Sequence, residues 1–298
     1  MKQTISGIIL QSIGGFYVVE AADAVYTCRA RGVFRKEGIT PVAGDHVQIA
    51  VLEEGKGSIE EVLPRKNGLV RPPVANLDHL VLVASVAEPA PNRLVLDTMI
   101  ALAERQEIEP VMVISKTDLL DGEDLYQTYR LAGLDCYRVS MADPATVEPL
   151  RKRLQGSVSV FTGNSGVGKS SLLNLLEPHL ELETGEISRK LGRGRHTTRT
   201  ATLFPLEGGG YWVDTPGFSS LDLERLDWIS KEELPHCFRE FTPYWGQCRF
   251  GTSCLHIREP GCAVREALEQ GKIAPSRYES YVALYQEVKD KKEWERGG

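Results

Sequence analysis

No stretch of this chain approaches the run of about 20 consecutive apolar residues that a membrane-spanning helix needs. The apolar run near the start, Gly7 to Leu10, is also too short for the core of a secretion signal. The expected location is therefore cytoplasmic. Internal repeats and low-complexity tracts are missing too, so neither a solenoid nor a disordered tether is expected. Surplus positive charge is absent: the formal net charge is -6, which does not advertise a nucleic-acid binder, although a net value hides local patches. Six cysteines are present, and without a secretion signal a disulfide framework is not expected. Three of them fall within fifteen residues beside a histidine, a spacing that points to metal. What remains is an ordinary globular composition, 42% hydrophobic and 26% charged over 298 residues, enough for two or three domains.

The rhythm of the sequence changes twice, which gives a multidomain reading with segments 1–72, 73–224 and 225–298. In the first, GFYVVE, AVYTCRARGVF and HVQIAVLE cluster β-branched and aromatic residues between glycine turns, and nothing has the length and period of a helix. Short strands in so few residues suit a small N-terminal β-barrel, either an OB-fold or an SH3-like barrel, which either binds oligonucleotides or only packs on its neighbour. The central segment alternates apolar runs (LVLVASVA, PVMVIS, VSVFTG, YWVDT) with helical stretches such as RLVLDTMIALAERQ and SSLLNLLEPH. That alternation predicts a mainly parallel α/β sheet covered on both faces. The third segment holds the cysteine cluster and then two helices, AVREALEQG and SRYESYVALYQEVKDKKEWER. Tyr281, Leu284, Tyr285 and Val288 recur at helical spacing in the second, as in a helix that docks by one face.

Gly163, Gly168, Lys169 and Ser170 fit G-x-x-x-x-G-K-[ST], a phosphate-binding loop. An expected strand, VSVFT, precedes it and an expected helix, SSLLNLLE, follows. That context aims backbone N–H groups and a helix N-terminus at phosphate oxygens. Lys169 would reach the β- and γ-phosphates and Ser170 would ligate magnesium. Asp214, at the end of YWVD, is the candidate magnesium-binding aspartate, and Gly217 could offer its N–H to a γ-phosphate.

SKTD, Ser115 to Asp118, lies at the end of another expected strand. A carboxylate there can accept from the N1–H and N2–H₂ edge of guanine, whereas adenine presents an unmatched acceptor at N1. Lys116 can lay its aliphatic stem along the base. A further short strand, YRVSM, could bring Ser140 near the same base. Base-reading elements thus precede the phosphate loop, the reverse of the usual GTPase order. Joined ends and a new break can leave such a site intact, so the chain reads as a circularly permuted GTPase. A P-loop ATPase or kinase is disfavoured by Asp118.

Between the loop's helix and Asp214 lies SRKLGRGRHTTRT, where a nucleotide-sensing switch belongs. Thr197 or Thr198 is its candidate magnesium ligand and His196 its candidate water-orienting group. Phe218 occupies the position where many GTPases carry a glutamine, and its ring cannot hydrogen-bond water, so intrinsic hydrolysis is expected to be slow. Arg189, Lys190, Arg193, Arg195 and Arg199 make the stretch basic enough to meet RNA phosphates. Cys248, Cys254, His256 and Cys262 form C-x₅-C-x-H-x₅-C, a three-thiolate, one-imidazole set suited to a closed structural zinc site. Cys237 and His236 fall outside the cluster and are expected in the core.

Taken together, the motif order, GNSGVGKSSLLN, GRGRHTTR, DTPGF and the cysteine–histidine spacing followed by AV resemble the ribosome small-subunit-dependent GTPase A family over essentially the whole length. The resemblance implies an OB-fold, a permuted GTPase domain and a mostly helical zinc-binding domain. It implies a GTPase acting in late maturation of the small (30S) ribosomal subunit, stimulated by that subunit, with the subunit and its rRNA as partners, and regulated by guanosine tetraphosphate-type nucleotides. Implied site residues are Gly163, Asn164, Ser165, Gly166, Val167, Gly168, Lys169, Ser170 and Ser171 for phosphates, Lys116 and Asp118 for guanine, and Cys248, Cys254, His256 and Cys262 for zinc. His196 matches the family's proposed catalytic histidine, with Lys169 and Thr198 beside it in the catalytic set. Ser115 stands where GTPases usually have asparagine, which bears on guanine affinity. The expected cofactors are GTP or GDP, Mg²⁺ and one Zn²⁺, and the expected state is a monomer. An alternative keeps the same site in a nucleotide-gated RNA-binding module whose hydrolysis only resets affinity. Because the permuted domain ends just after a γ-phosphate-sensing segment, the third segment is expected to change position between GTP and GDP. Matching solution scattering and protease cleavage in the two states would contradict that expectation.

Overall fold

The computed structural model describes residues 4–22, 24–70, 73–178, 201–214 and 229–290. Strands β1 (Thr4–Ile13), β2 (Phe16–Ala21) and β3 (Ala24–Ala30) lead through a short helix α1 (Gly32–Lys36) to β4 (His46–Glu53) and β5 (Lys56–Val62). A small hairpin, β6 (Gly68–Val70) and β7 (Pro73–Ala75), precedes β8 (His79–Ser85). Alternation then sets in with α2 (Arg93–Arg105), β9 (Glu109–Ser115), α3 (Glu123–Leu131) and β10 (Asp135–Val139). It continues with α4 (Glu148–Leu154), β11 (Val158–Thr162) and α5 (Lys169–Leu176), followed by β12 (Thr202–Pro205) and β13 (Tyr211–Asp214). Near the C-terminus, 3₁₀ turns at Leu234–Cys237, Arg239–Tyr244 and Gly251–Ser253 come before α6 (Ala263–Glu269) and α7 (Pro275–Val288). The chain divides into two compact units. One takes Met1–His79, Arg151–Phe161 and Leu173–Phe218; the other takes Leu80–Leu150, Thr162–Leu172 and Ser219–Gly298.

In the first unit, β1 pairs antiparallel with β2 and, through its first half, with β4. β2 pairs with β3, β3 runs parallel to β5, and β5 returns antiparallel to β4. The ring β1-β2-β3-β5-β4 closes on itself, the five-stranded barrel of an OB-fold, so no edge within the ring is left open. Alternate side chains point inward: Ile9, Val19, Cys28, Val47, Ile49 and Ile59 are all 0% exposed. Burial pushes the Cys28 thiol up to about 11, as expected of an inert core residue. The expected strand AVYTCRARGVF ends early, at Ala30. Its last residues turn into α1, which drops Phe34 into the barrel core, so the segment does contain a short helix. Beyond the barrel, β11 pairs in parallel with β13, β13 antiparallel with β12, and β12 antiparallel with β1.

The second unit contains β10, β9 and β8 side by side, with β9 and β10 parallel. Every residue of β8 is buried and all but the first of β9, as in a strand covered on both faces. Asn92 caps α2 by accepting a hydrogen bond from the Val95 N–H at 3.3 Å. The C-terminal core forms around Phe238, Phe241 and Tyr281: the Tyr281 ring meets the two phenylalanines edge to face at 5.2 and 4.9 Å, and they stack on each other at 5.4 Å. Tyr281, Leu284 and Val288 point into it, as their spacing predicts. Cys237 is buried there, but His236 is exposed and lies edge-on to Trp245 at 4.3 Å; the 3₁₀ turn rotates the two neighbours to opposite sides.

Arg277 of α7 is the largest fully buried side chain. Its guanidinium donates to Glu240 at 2.7 and 3.1 Å and to Asp97 of α2 at 2.7 Å, and it lies over the Phe238 ring at 4.6 Å. Burial opposes the charge on Arg277, but the two carboxylates outweigh it and raise the pKa. Replacing Arg277 by leucine strands two buried carboxylates and is expected to cost about 3–5 kcal/mol, read as a lower urea midpoint. Adding Asp97→Leu and Glu240→Leu should recover most of that loss; a triple variant no more stable than Arg277→Leu would contradict this account.

Candidate nucleotide site and metal centre

The phosphate-type loop leaves β11 at Gly163, whose φ of +149° and crowded surroundings both require glycine. A Cβ there would sit 2.3 Å from the Val83 carbonyl oxygen. Gly166 and Gly168 follow with φ of +81° and +94°, and the Leu172 N–H to Gly168 carbonyl bond, 2.9 Å, opens α5. Lys169 folds back across the loop, donating to the carbonyls of Gly163 and, at 3.1 Å, Asn164. Burial lowers the pKa of its ammonium, which leaves it a desolvated cation for an anion to meet.

SKTD follows β9 in the same unit. Ser115 is 0% exposed, and its hydroxyl donates to the Val167 carbonyl at 2.6 Å, with the Ala84 carbonyl 3.3 Å away. The hydroxyl is thus directed at the phosphate-type loop, a role with no signal in the sequence. Lys116 adopts a left-handed φ of +60° and its ammonium reaches the Glu88 carbonyl at 2.5 Å. Asp118 is exposed, and Ser140, just past β10, donates to it at 3.4 Å. Ser140 is itself held, its hydroxyl accepting from the Ala142 N–H at 3.1 Å. The structure therefore joins Ser115, Lys116, Asp118 and Ser140 at one end of the parallel strands, where such sheets place ligands.

Asp214 ends β13 in the first unit and is buried. Its carboxylate and the Ser170 hydroxyl are hard oxygen donors of the kind magnesium takes. His196, Thr197, Thr198, Gly217 and Phe218, with the basic residues Arg189, Lys190, Arg193, Arg195 and Arg199, lie outside the described residues.

Cys248, Cys254, His256 and Cys262 converge, their four ligand atoms all within 4.8 Å of one another and all four residues buried. Metal bonds of about 2.3 Å to sulfur and 2.0–2.1 Å to nitrogen give a tetrahedron edges of roughly 3.5–3.8 Å. Cys248 Sγ stands 3.6 Å from His256 Nδ1 and 4.0 Å from Cys262 Sγ, and His256 Nδ1 stands 3.4 Å from Cys262 Sγ. The donor set fits zinc. Its surroundings hold it in place: Tyr278 and Tyr281 donate to the carbonyls of His256 and Leu255. Glu259 accepts from the N–H groups of Leu255, Ile257 and Arg258 at 2.8–3.0 Å; these bonds outweigh burial and lower its pKa. Of these supports only Tyr281 was marked in the sequence, by its helical spacing. Nothing marked Glu259 among many acids.

A GKS loop between strand and helix, with a K-x-D turn that precedes it in the chain, defines a circularly permuted P-loop GTPase. The RsgA GTPase family model matches residues 62–224, and the RsgA N-terminal domain model residues 6–59. The chain is 47% identical over 292 residues to the small ribosomal subunit biogenesis GTPase RsgA of Caldanaerobacter subterraneus subsp. tengcongensis, covering 97% of each. A protein of the same name from Geobacillus sp. strain WCH70 is 47% identical, with 96% of this chain and 98% of that one covered. Among solved structures, YjeQ from Thermotoga maritima superposes with a TM-score of 0.82 at 38% identity, covering 97% of this chain and 100% of that one. YloQ, described as a circularly permuted GTPase, gives 0.80 at 36%, covering 97% and 96%. The chain belongs to the RsgA GTPase family and is a GTP hydrolase, a class that works with guanine nucleotide and Mg²⁺. Among the described residues no helix is long and apolar enough to cross a membrane.

Purified chain should carry one zinc, measured by elemental analysis, and lose it to a strong chelator with a fall in Tm. Cys254→Ser should do the same, whereas Cys136→Ser, far along the chain in β10, should leave the zinc content unchanged.

Proposed function

We propose that this chain hydrolyses GTP in late maturation of the small ribosomal subunit and that the subunit, through its rRNA, stimulates the turnover. The observation that carries the site reading is the Ser115–Val167 hydrogen bond of 2.6 Å, which ties the base-reading turn to the phosphate loop although the two stand in reversed order in the chain. Asp118 accepts from the guanine edge while Lys116 lies along the ring, and Ser140 orients the carboxylate. Amides of the loop from Gly163 to Ser171 and the Lys169 ammonium bind the phosphates. Ser170, Asp214 and Thr198 hold magnesium, with Thr197 the alternative to Thr198. Magnesium, when bound, neutralises charge that develops on the β- and γ-phosphate oxygens. His196 orients the attacking water, and Gly217 offers its N–H to the γ-phosphate. Zinc at Cys248, Cys254, His256 and Cys262 supplies folding energy to a loop-rich segment.

Three functional segments, 1–72, 73–224 and 225–298, share the work in the cytoplasm as a monomer, and guanosine tetraphosphate-type nucleotides compete for the GTP site. The similarity to proteins named for small-subunit biogenesis supports the partner. Phosphate release from GTP and from ATP, with and without purified small ribosomal subunits, tests the proposal. Stimulation with GTP alone is expected, as is its loss in His196→Ala. Asp118→Asn should move the preference from guanine to xanthine nucleotides. Equal use of ATP would overturn the guanine assignment; a subunit without effect on the rate would favour the RNA-binding module whose hydrolysis only resets affinity.

A further inference from the structure

Asp214 is placed by the barrel as well as by its own strand. Thr202 of β12 stands in register with Asp214 of β13 on one side and with Gln11 of β1 on the other. A line of residues paired in register, Gln11–Thr202–Asp214, therefore runs from the barrel to the carboxylate. β1 makes this possible by changing partners along its length. Its first half pairs with β4 as far as Ile8, an irregularity against β2 falls between Ile9 and Gln11, and Gln11 then meets β12. A bulge of this kind redirects a strand and adds twist. On the far side, Val213 and Tyr211 of β13 pair with Val160 and Val158 of β11, the strand that leads to the phosphate loop.

A second tie joins the same parts. The Tyr211 hydroxyl donates to the Glu20 carboxylate of β2 at 2.5 Å. Burial, reinforced by that carboxylate, raises the tyrosine pKa, so the hydroxyl remains a donor at any working pH. The Tyr211 N–H meanwhile donates to the Ser157 carbonyl at 2.8 Å, which anchors the start of β13 while its end carries Asp214.

We propose that Tyr211 and Glu20 are positioning residues for Asp214: their hydrogen bond holds β13 to the barrel and so sets where the magnesium-side carboxylate stands. The proposal rests on the assignment of Asp214 to magnesium made above. Neither side chain belongs to the nucleotide-binding set.

The test uses the full chain and a fluorescent GDP analogue, following the Mg²⁺ concentration that half-maximally slows its release. Tyr211→Phe keeps the ring and removes the hydroxyl; Glu20→Gln keeps the size and removes the charge. Each should raise the Mg²⁺ midpoint roughly three- to tenfold, the scale of one charge-assisted hydrogen bond partly transmitted. Release measured without Mg²⁺ should be unchanged. The double variant should do no more than either single one, because the two share one interaction. Hydrogen exchange at residues 202–214 of the nucleotide-free chain should quicken in both, a readout independent of turnover. Asp214→Asn is the reference. If it raises the midpoint while Tyr211→Phe and Glu20→Gln leave it unmoved, positioning from the barrel is wrong. Should Asp214→Asn itself leave the midpoint unmoved, the magnesium assignment falls, and the proposal with it.

Discussion

The Ser115 hydroxyl, wholly excluded from solvent, donates to the Val167 carbonyl, and the nucleotide site depends on that contact. An unpaired buried carbonyl or hydroxyl costs about 1–3 kcal/mol, so the two segments have strong reason to stay together. Because the bond crosses from the end of β9 to the loop after β11, it holds base-reading and phosphate-reading elements in fixed relation. Their order along the chain then ceases to matter. Nearby, Gly163 lets the loop pass close to the Val83 carbonyl, where a Cβ would not fit.

The two units solve different problems. The first closes five strands into a barrel and then extends β1 into the ladder that bears Asp214. A closed ring has no reason to pair further, so the partner change at the β1 irregularity is what allows the barrel to be more than a separate module. The second unit has few long helices in its C-terminal part and compensates with buried polar ties. The Arg277 triad pins α7 to α2, and the cysteine–histidine set with Glu259 organises a stretch of 3₁₀ turns and loops. Neither arrangement resembles an oily core. Both rest on paired polar contacts, although Asp97 Oδ2 of the triad has no hydrogen-bond partner.

These ties also explain why charge counting says little here. The net charge of -6 coexists with arginines committed to internal work: Arg277 to Asp97 and Glu240, Arg239 to Glu104 and Glu109, Arg65 to Asp45. Burial of the Arg277 triad makes its geometry specific even where its net stabilisation is small.

Much of this protein was written locally and was legible for that reason. The GKS loop, the K-x-D turn, the reversed motif order and the cysteine–histidine spacing are short-range patterns, because each chemistry needs its atoms from a few neighbouring residues. Apolar runs and helical periodicity placed β2, β4, β8, β9, β11, β13 and α2, α5 and α6 to within a few residues, and the start of α7, which ends at Val288 although its expected helix ran on to Arg296. Hydrophobic pattern left the barrel's identity open, since an OB-fold and an SH3-like barrel bury the same alternation. Only the strand pairings, with β3 parallel to β5 and β1 shared between β4 and β12, decided it. Nor could the sequence show that Ser115 turns to the phosphate loop, that Glu259 gathers three N–H groups, or that Tyr211 reaches Glu20. Each of these is a contact of polar groups whose partners are chosen by how distant backbones meet, and hydrogen bonds leave no periodic trace in the chain.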